Sequence, residues 1–123
     1  MPLGGLPQVE DIYARGTVPW IIPDPGNAGT IDTSRSGICE LSSAAAETRT
    51  LPDPTFRGQQ LELYMILDTG DITITASSPV NQTGHTTIVV SAIGGYMLLR
   101  SKYNATDGWE WQEVMEDTGI TTS

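Results

Sequence analysis

From about residue 51 to residue 122, short apolar-rich stretches alternate with turn signals, and this pattern predicts consecutive β-strands. The turn signals are Asp68-Thr69-Gly70, Pro79-Val80-Asn81, Gly94-Gly95 and Asp107-Gly108. Over residues 59–67, Leu61, Leu63, Met65 and Leu67 share one face, while Glu62, Tyr64 and Ile66 share the other. Residues 71–76 place Ile72, Ile74 and Ala76 inward and Thr73 and Thr75 outward. Asp68-Thr69-Gly70 reads as the loop of a hairpin joining these two strands, with Gly70 supplying a positive φ. Ile88 and Val90 alternate in a further strand. Residues 96–100 are apolar on both faces and read as a central strand, and residues 109–114 place Trp109 and Trp111 on one face. Residues 42–47 are too short an Ala-rich piece for a stable helix and read as a loop. Residues 77–84 and 102–108 also read as loops, and the tail after Glu116 as a frayed or edge segment. About seven strands result, which predicts an all-β fold: a single antiparallel β-sandwich or jelly-roll-like domain.

Residues 1–35 differ from the rest. Pro2, Pro7, Pro19, Pro23 and Pro25 disfavour helix interiors and central strands, and five glycines accompany them. Val18-Pro19-Trp20-Ile21-Ile22-Pro23 is nevertheless strongly apolar, which a freely solvated tail has no reason to be. The expectation is an extended N-terminal arm, 1–35, beside a sandwich domain, 36–123, that folds without it. The arm docks Val18, Trp20, Ile21 and Ile22 on its own domain, a sister subunit or a foreign partner.

Composition narrows the function classes. The chain has 123 residues, and 38% hydrophobic content is low for a self-sufficient domain, so either part of the chain lies outside the core or partners complete its stability. Six basic against fifteen acidic residues give a net charge of −9. Phosphate-led nucleic-acid binding and attachment to an acidic membrane both need clustered cations, so neither is expected. Docking on a basic protein surface is compatible with the charge. Cys39 is the only cysteine; it allows no intrachain disulfide or Cys-based metal site, and it reads as a small buried apolar residue. No signal peptide and no bilayer-length apolar run are read. Asn81-Gln82-Thr83 and Asn104-Ala105-Thr106 read as turn chemistry rather than glycosylation sites.

Chemistry has few carriers. Asp68 with Asp71, or Glu110 with Glu113, would be the acid pairs of a glycosidase. The first pair sits where Asp serves turns, and the second falls on opposite faces of a strand. His85 is the only histidine, and no Gly-x-Ser-x-Gly elbow accompanies it, so it reads as a solvent-facing loop residue. Asp68-Thr69-Gly70-Asp71 lacks the spacing of an EF-hand loop. The expectation is a protein without catalysis, cofactor or metal. Trp109 and Trp111 have two readings, a stacking platform for a sugar or partner, and core or subunit interface.

Leu51-Pro52-Asp53-Pro54, then Gly58-Gln59-Gln60-Leu61-Glu62-Leu63, then Asp68-Thr69-Gly70-Asp71-Ile72-Thr73-Ile74-Thr75, then Asn81-Gln82-Thr83-Gly84 and Thr86-Thr87-Ile88, resembles β-rich structural proteins of tailed bacteriophages. In those a Leu-Pro element leads to a Gly-Gln strand, a Gly-Asp hairpin, an Asn-x-x-Gly turn and a closing strand with Trp, here Trp109 or Trp111. The resemblance covers about residues 51–114. A short chain beginning at Met1 without repeats resembles a capsid decoration (cement) protein more than a long fibre. The resemblance implies a homo-oligomer, often a trimer, made in the host cytoplasm and seated on the capsid exterior of the virion. Its partner would be the major capsid protein, with Val18, Trp20, Ile21, Ile22, Trp109 and Trp111 as docking residues. The alternative it leaves open is a tail fibre, spike or glycan-binding β-module.

Overall fold

The structure, a computed structural model, describes residues 20–81, 84–117 and 119–123. These residues form ten strands and no helix: β1 (Trp20–Ile22), β2 (Gly29–Thr30), β3 (Gly37–Ser42), β4 (Glu47–Leu51), β5 (Gln60–Leu67), β6 (Ile72–Val80), β7 (His85–Val90), β8 (Tyr96–Asn104), β9 (Gly108–Glu116) and β10 (Ile120–Thr122). Two five-stranded sheets pack face to face, sheet A in the order β1-β3-β5-β8-β9 and sheet B in the order β10-β7-β6-β4-β2. The all-β sandwich expected from the pattern is present. Its sheets are mixed rather than wholly antiparallel: β1-β3-β5 and β2-β4-β6 are parallel ladders, and the remaining pairs are antiparallel.

The parallel ladders follow from the path of the chain. Three of its crossings from sheet A to sheet B, β1 to β2, β3 to β4 and β5 to β6, form arches that stack on one another. The hairpin expected at residues 59–76 is therefore corrected. β5 pairs with β3 and β8, while β6 lies in the other sheet between β4 and β7. Asp68-Thr69-Gly70 is a corner between sheets. Gly70 is not among the residues with positive φ. It is needed because a Cβ there would collide with the backbone of Ala45 and Ala46 in the arch above.

Period-2 alternation does place the core correctly. Leu61, Leu63 and Met65 of β5 meet Ile72, Ile74 and Ala76 of β6, and all are buried with Cys39, Leu41, Ile88, Val90, Met97, Leu99 and Trp111. Leu67 leaves the core, because a register shift pairs Ser42 with Leu67 and skips Ile66. Burying a side chain such as Leu63 contributes about 1.5–3 kcal/mol.

The boundary at residue 35 is not where the structure divides. β1 and β2 supply the edge strand of sheet A and of sheet B, and Ile22 and Ile31 are core residues. Within the described residues, the C-terminal part of the expected arm belongs to the sandwich. Val18 lies outside the described residues.

A charged clamp holds the first two arches. Arg49 points inward from β4, and its side chain is 0% exposed, against 15% for Asp24 in the β1–β2 arch. Arg49 Nε donates to Asp24 Oδ1 at 2.8 Å, and Nη2 donates to Asp24 Oδ2 at 3.0 Å. Nη1 donates to the Thr48 carbonyl at 2.9 Å, and Nη2 also reaches the Ser42 carbonyl and Glu47 Oε1. The same Asp24 carboxylate accepts the backbone N–H groups of Gly26 and Ser42. Burial pushes the Asp24 carboxyl up, but these bonds from Arg49, Ser42 and Gly26 outweigh it and hold the group below its ordinary value.

Asp24→Asn takes away one of the two carboxylates that meet the buried Arg49 and leaves Glu47 alone, and urea unfolding is expected to show a loss of about 1.5–3 kcal/mol. Because the folded carboxyl titrates below the ordinary 3.8, its stabilising contribution is complete above that pH and is lost as pH falls through the lower folded value. The acid limb of a stability–pH curve is therefore shallower in Asp24→Asn than in the parent. Removal of residues 1–35 takes away β1, β2 and Asp24 together, and the remainder is expected to lack a cooperative thermal transition by calorimetry.

Candidate functional site

The outer face of sheet A carries a stripe of apolar side chains. Strand alternation puts every second residue of β1, β3, β5, β8 and β9 on it, and the pairing registers align them. Ile21 pairs with Ile38, Ile38 with Glu62, Glu62 with Leu98, and Leu98 with Met115. One transverse row thus crosses all five strands, four apolar side chains with a carboxylate at its centre. At about 4.8 Å between strands the row spans roughly 19 Å. Ile21 is 56% exposed and Met115 52% exposed at its two ends. A parallel row, Glu40-Tyr64-Tyr96, lies beside it.

Met115 reaches the face through a bulge. The register shifts between Leu98 and Leu99, so Val114 is an extra residue on β9 and also lies exposed. Beyond it, burial pushes the Glu116 carboxyl up, and neighbouring Glu113 and Asp117 push it further. This end of the row is therefore strongly acidic.

The central carboxylate is held in place. Tyr96 Oη donates to Glu62 Oε1 at 2.6 Å. Burial first, and then this bond, push the Tyr96 phenol up to about 12, so Tyr96 remains a donor at any physiological pH. The ion pairs Arg49–Asp24, Arg49–Glu47 and Lys102–Glu110 do not involve Glu62.

A second cluster lies at the β8–β9 hairpin. Tyr103 and Trp109 meet edge to face with ring centroids 5.2 Å apart, and the Arg57 guanidinium sits 5.4 Å from the Tyr103 centroid. Phe56 is exposed next to Arg57 in sequence.

The docking residues expected from sequence do not form one surface. β1 and β9 are opposite edges of sheet A, which separates Trp20, Ile21 and Ile22 from Trp109 and Trp111. Trp20 is exposed, with Arg35 stacked over its ring at 4.7 Å. Ile21 stands on the outer row, whereas Ile22 is core. Trp111 is 1% exposed, with Nε1 donating to the Pro52 carbonyl at 2.9 Å, so it serves packing. Trp109 is half-buried against Tyr103. Ile38, Leu98 and Met115 escaped the sequence reading. The apolar pattern of residues 96–100 on both faces was the available signal for Leu98.

The candidate chemical groups are dispersed. Glu110 is buried and lies 3.6 Å from Lys102 Nζ, in a small cleft lined by Ser78, Pro79 and Asp107. His85 opens β7 instead of standing in a loop, and its Nδ1 is buried without a hydrogen-bond partner. Cys39 is buried, and burial pushes its thiol up to about 12, which leaves it protonated and inert as a nucleophile near neutrality. Among the described residues no three His, Cys, Asp or Glu side chains are brought together as a metal site, and no helix is long and apolar enough to cross a membrane. Neither protein-family models nor curated proteins show a match to this chain.

Proposed function

We propose that this protein is an adhesive structural module that docks on the surface of a larger protein assembly through the outer face of sheet A. The observation that carries this reading is the aligned row Ile21-Ile38-Glu62-Leu98-Met115, an ordered and partly exposed apolar stripe on a rigid sheet. Stripes of this kind on a soluble surface mark association sites. The resemblance of residues 51–114 to phage structural proteins makes a capsid exterior the specific candidate. In that role the protein is a decoration (cement) protein bound to the major capsid protein, acting as a homo-oligomer such as a trimer. Repetition on a lattice then strengthens individually weak contacts.

A second reading, a tail-fibre, spike or glycan-binding module, draws on the Tyr103–Trp109 pair with Arg57 beside it. Aromatic faces next to a cation suit stacking on a polar ring.

The test is saturation binding of the purified protein to undecorated heads of the phage that carries it. Leu98→Glu puts a second charge in the stripe, directly opposite Glu62, and is expected to weaken binding roughly thirtyfold or more, about 2 kcal/mol, with a cooperative thermal transition retained at a somewhat lower midpoint. Full-affinity binding by Leu98→Glu removes this face from the proposal. A glycan-array signal lost in Trp109→Ala, together with no head binding, replaces the first reading by the second.

A further inference from the structure

The docking reading leaves open what chemistry the partner must bring, and Glu62 addresses it. Its direct cross-strand neighbours on the two sides are Ile38 and Leu98. A partner that covers the row with apolar side chains alone would bury the Glu62 charge beside the Tyr96 phenol, while a cation on the same face, Arg100, stands one row away in register with Gln60 and forms no ion pair with Glu62. That is a heavily unfavourable arrangement, because a buried charge needs an opposite charge and further hydrogen bonds. A second copy of this chain laid face to face would set acid near acid, in a molecule already carrying −9. The face therefore selects for a cation.

Resting on the reading of sheet A as a docking surface, we infer that the partner presents an arginine side chain, ringed by aliphatic side chains, which Glu62 receives at the centre of the row. A carboxylate has about four acceptor positions, and Tyr96 Oη occupies one. The phenol thereby orients the carboxylate and leaves the others for a planar fork of N–H donors. Tyr64, the direct cross-strand partner of Tyr96, adds an aromatic ring in the neighbouring row. Arginine suits this setting better than lysine. It is less strongly hydrated, binds carboxylates through two parallel bonds and stacks on aromatic rings. The aliphatic ring around it excludes water, which is the arrangement found at the energetic centre of protein interfaces.

The test is selection of a random displayed heptapeptide library on the full chain. The expected result is enrichment of peptides with one arginine flanked by aliphatic residues. Their affinity falls at least tenfold for Glu62→Gln, which keeps the size of the side chain and its partner in Tyr96. Glu62→Arg is expected to lose these peptides and to bind their Arg→Glu versions, a charge swap that a merely structural role does not produce. Peptides without a basic residue, equal binding to Glu62→Gln, or no enrichment at all overturn the inference. So does a dimer in sedimentation that dissolves in Leu98→Glu, since a second copy then covers the face. Competition by a synthetic peptide of residues 1–19 overturns it likewise. If phage heads bind the parent and Glu62→Gln equally, but not Leu98→Glu, the arginine is excluded and the docking surface stands.

Discussion

An arginine enclosed between two sheets sets the terms for this fold. Arg49 occupies an inward position on β4, level with Ile74 on β6, where an aliphatic residue would be the ordinary choice. Such a cation is tolerable only if its donors are met, and the groups that meet them come from three places. Asp24 comes from the first arch, the Ser42 carbonyl from the end of β3, and Glu47 and the Thr48 carbonyl from β4 itself. The clamp therefore forms only when the first two arches are already stacked in register. It stabilises little relative to an apolar residue of equal size, but it penalises every arrangement in which the arches slip. The stacking it enforces is also what lines up Ile21, Ile38 and Glu62, so the outer row depends on a charge pair inside the sandwich.

The remaining corners solve a related problem. Each arch takes backbone groups out of a ladder, and those near the core must find partners. Ser43 Oγ accepts from the N–H groups of Thr69 and Gly70, tying the second arch to the third. At the other end Gln59 is fully buried. Its Nε2 donates to the carbonyls of Thr33 and Arg35, and its Oε1 accepts from the Thr55 N–H. Ser101 joins this set by accepting from the Gln59 N–H and donating to the Phe56 carbonyl. Short polar side chains thus carry the arches past each other, while alternation along the strands fills the space between with Leu, Ile and Met.

What could be read from the residues follows this division. Alternation is a local property, so the inward sets of β5, β6 and β7 were legible, as was the burial of Cys39. Pairing is not local. Asp68-Thr69-Gly70 has the composition of a hairpin loop, and nothing nearby distinguishes a turn within one sheet from a corner between two. The deciding contact is with Ala45 and Ala46, more than twenty residues earlier. Residues 20–31 misled for a similar reason. Pro19, Pro23 and Pro25 argue against central strands, and β1 and β2 are indeed edge strands, three and two residues long. Proline restricts position in a sheet without excluding membership. The docking row was partly hidden because its members lie on five strands, and only the registers reveal that they are neighbours.

The edge opposite β1 explains why association belongs to the face. β9 would end sheet A with a row of unpaired backbone groups, the usual template for unwanted strand pairing. Asn81, just beyond β6, closes part of that row. Its N–H donates to the Trp111 carbonyl at 2.9 Å, and its Oδ1 accepts from the Glu113 N–H at 2.6 Å and from Gln112 Nε2 at 2.9 Å. The residue holds a φ of 64°, a left-handed conformation that asparagine accepts more readily than most side chains. Glu113 and Glu116 add like charge along the same strand, which repels a second copy arriving edge-on. With that edge capped, the exposed apolar area near β9 is concentrated in Val114 and Met115, and Met115 is continuous with the row across the sheet. An edge closed by hydrogen bonds and a face left apolar, with one carboxylate at its middle, favour a partner chosen by side-chain chemistry over one captured by backbone pairing.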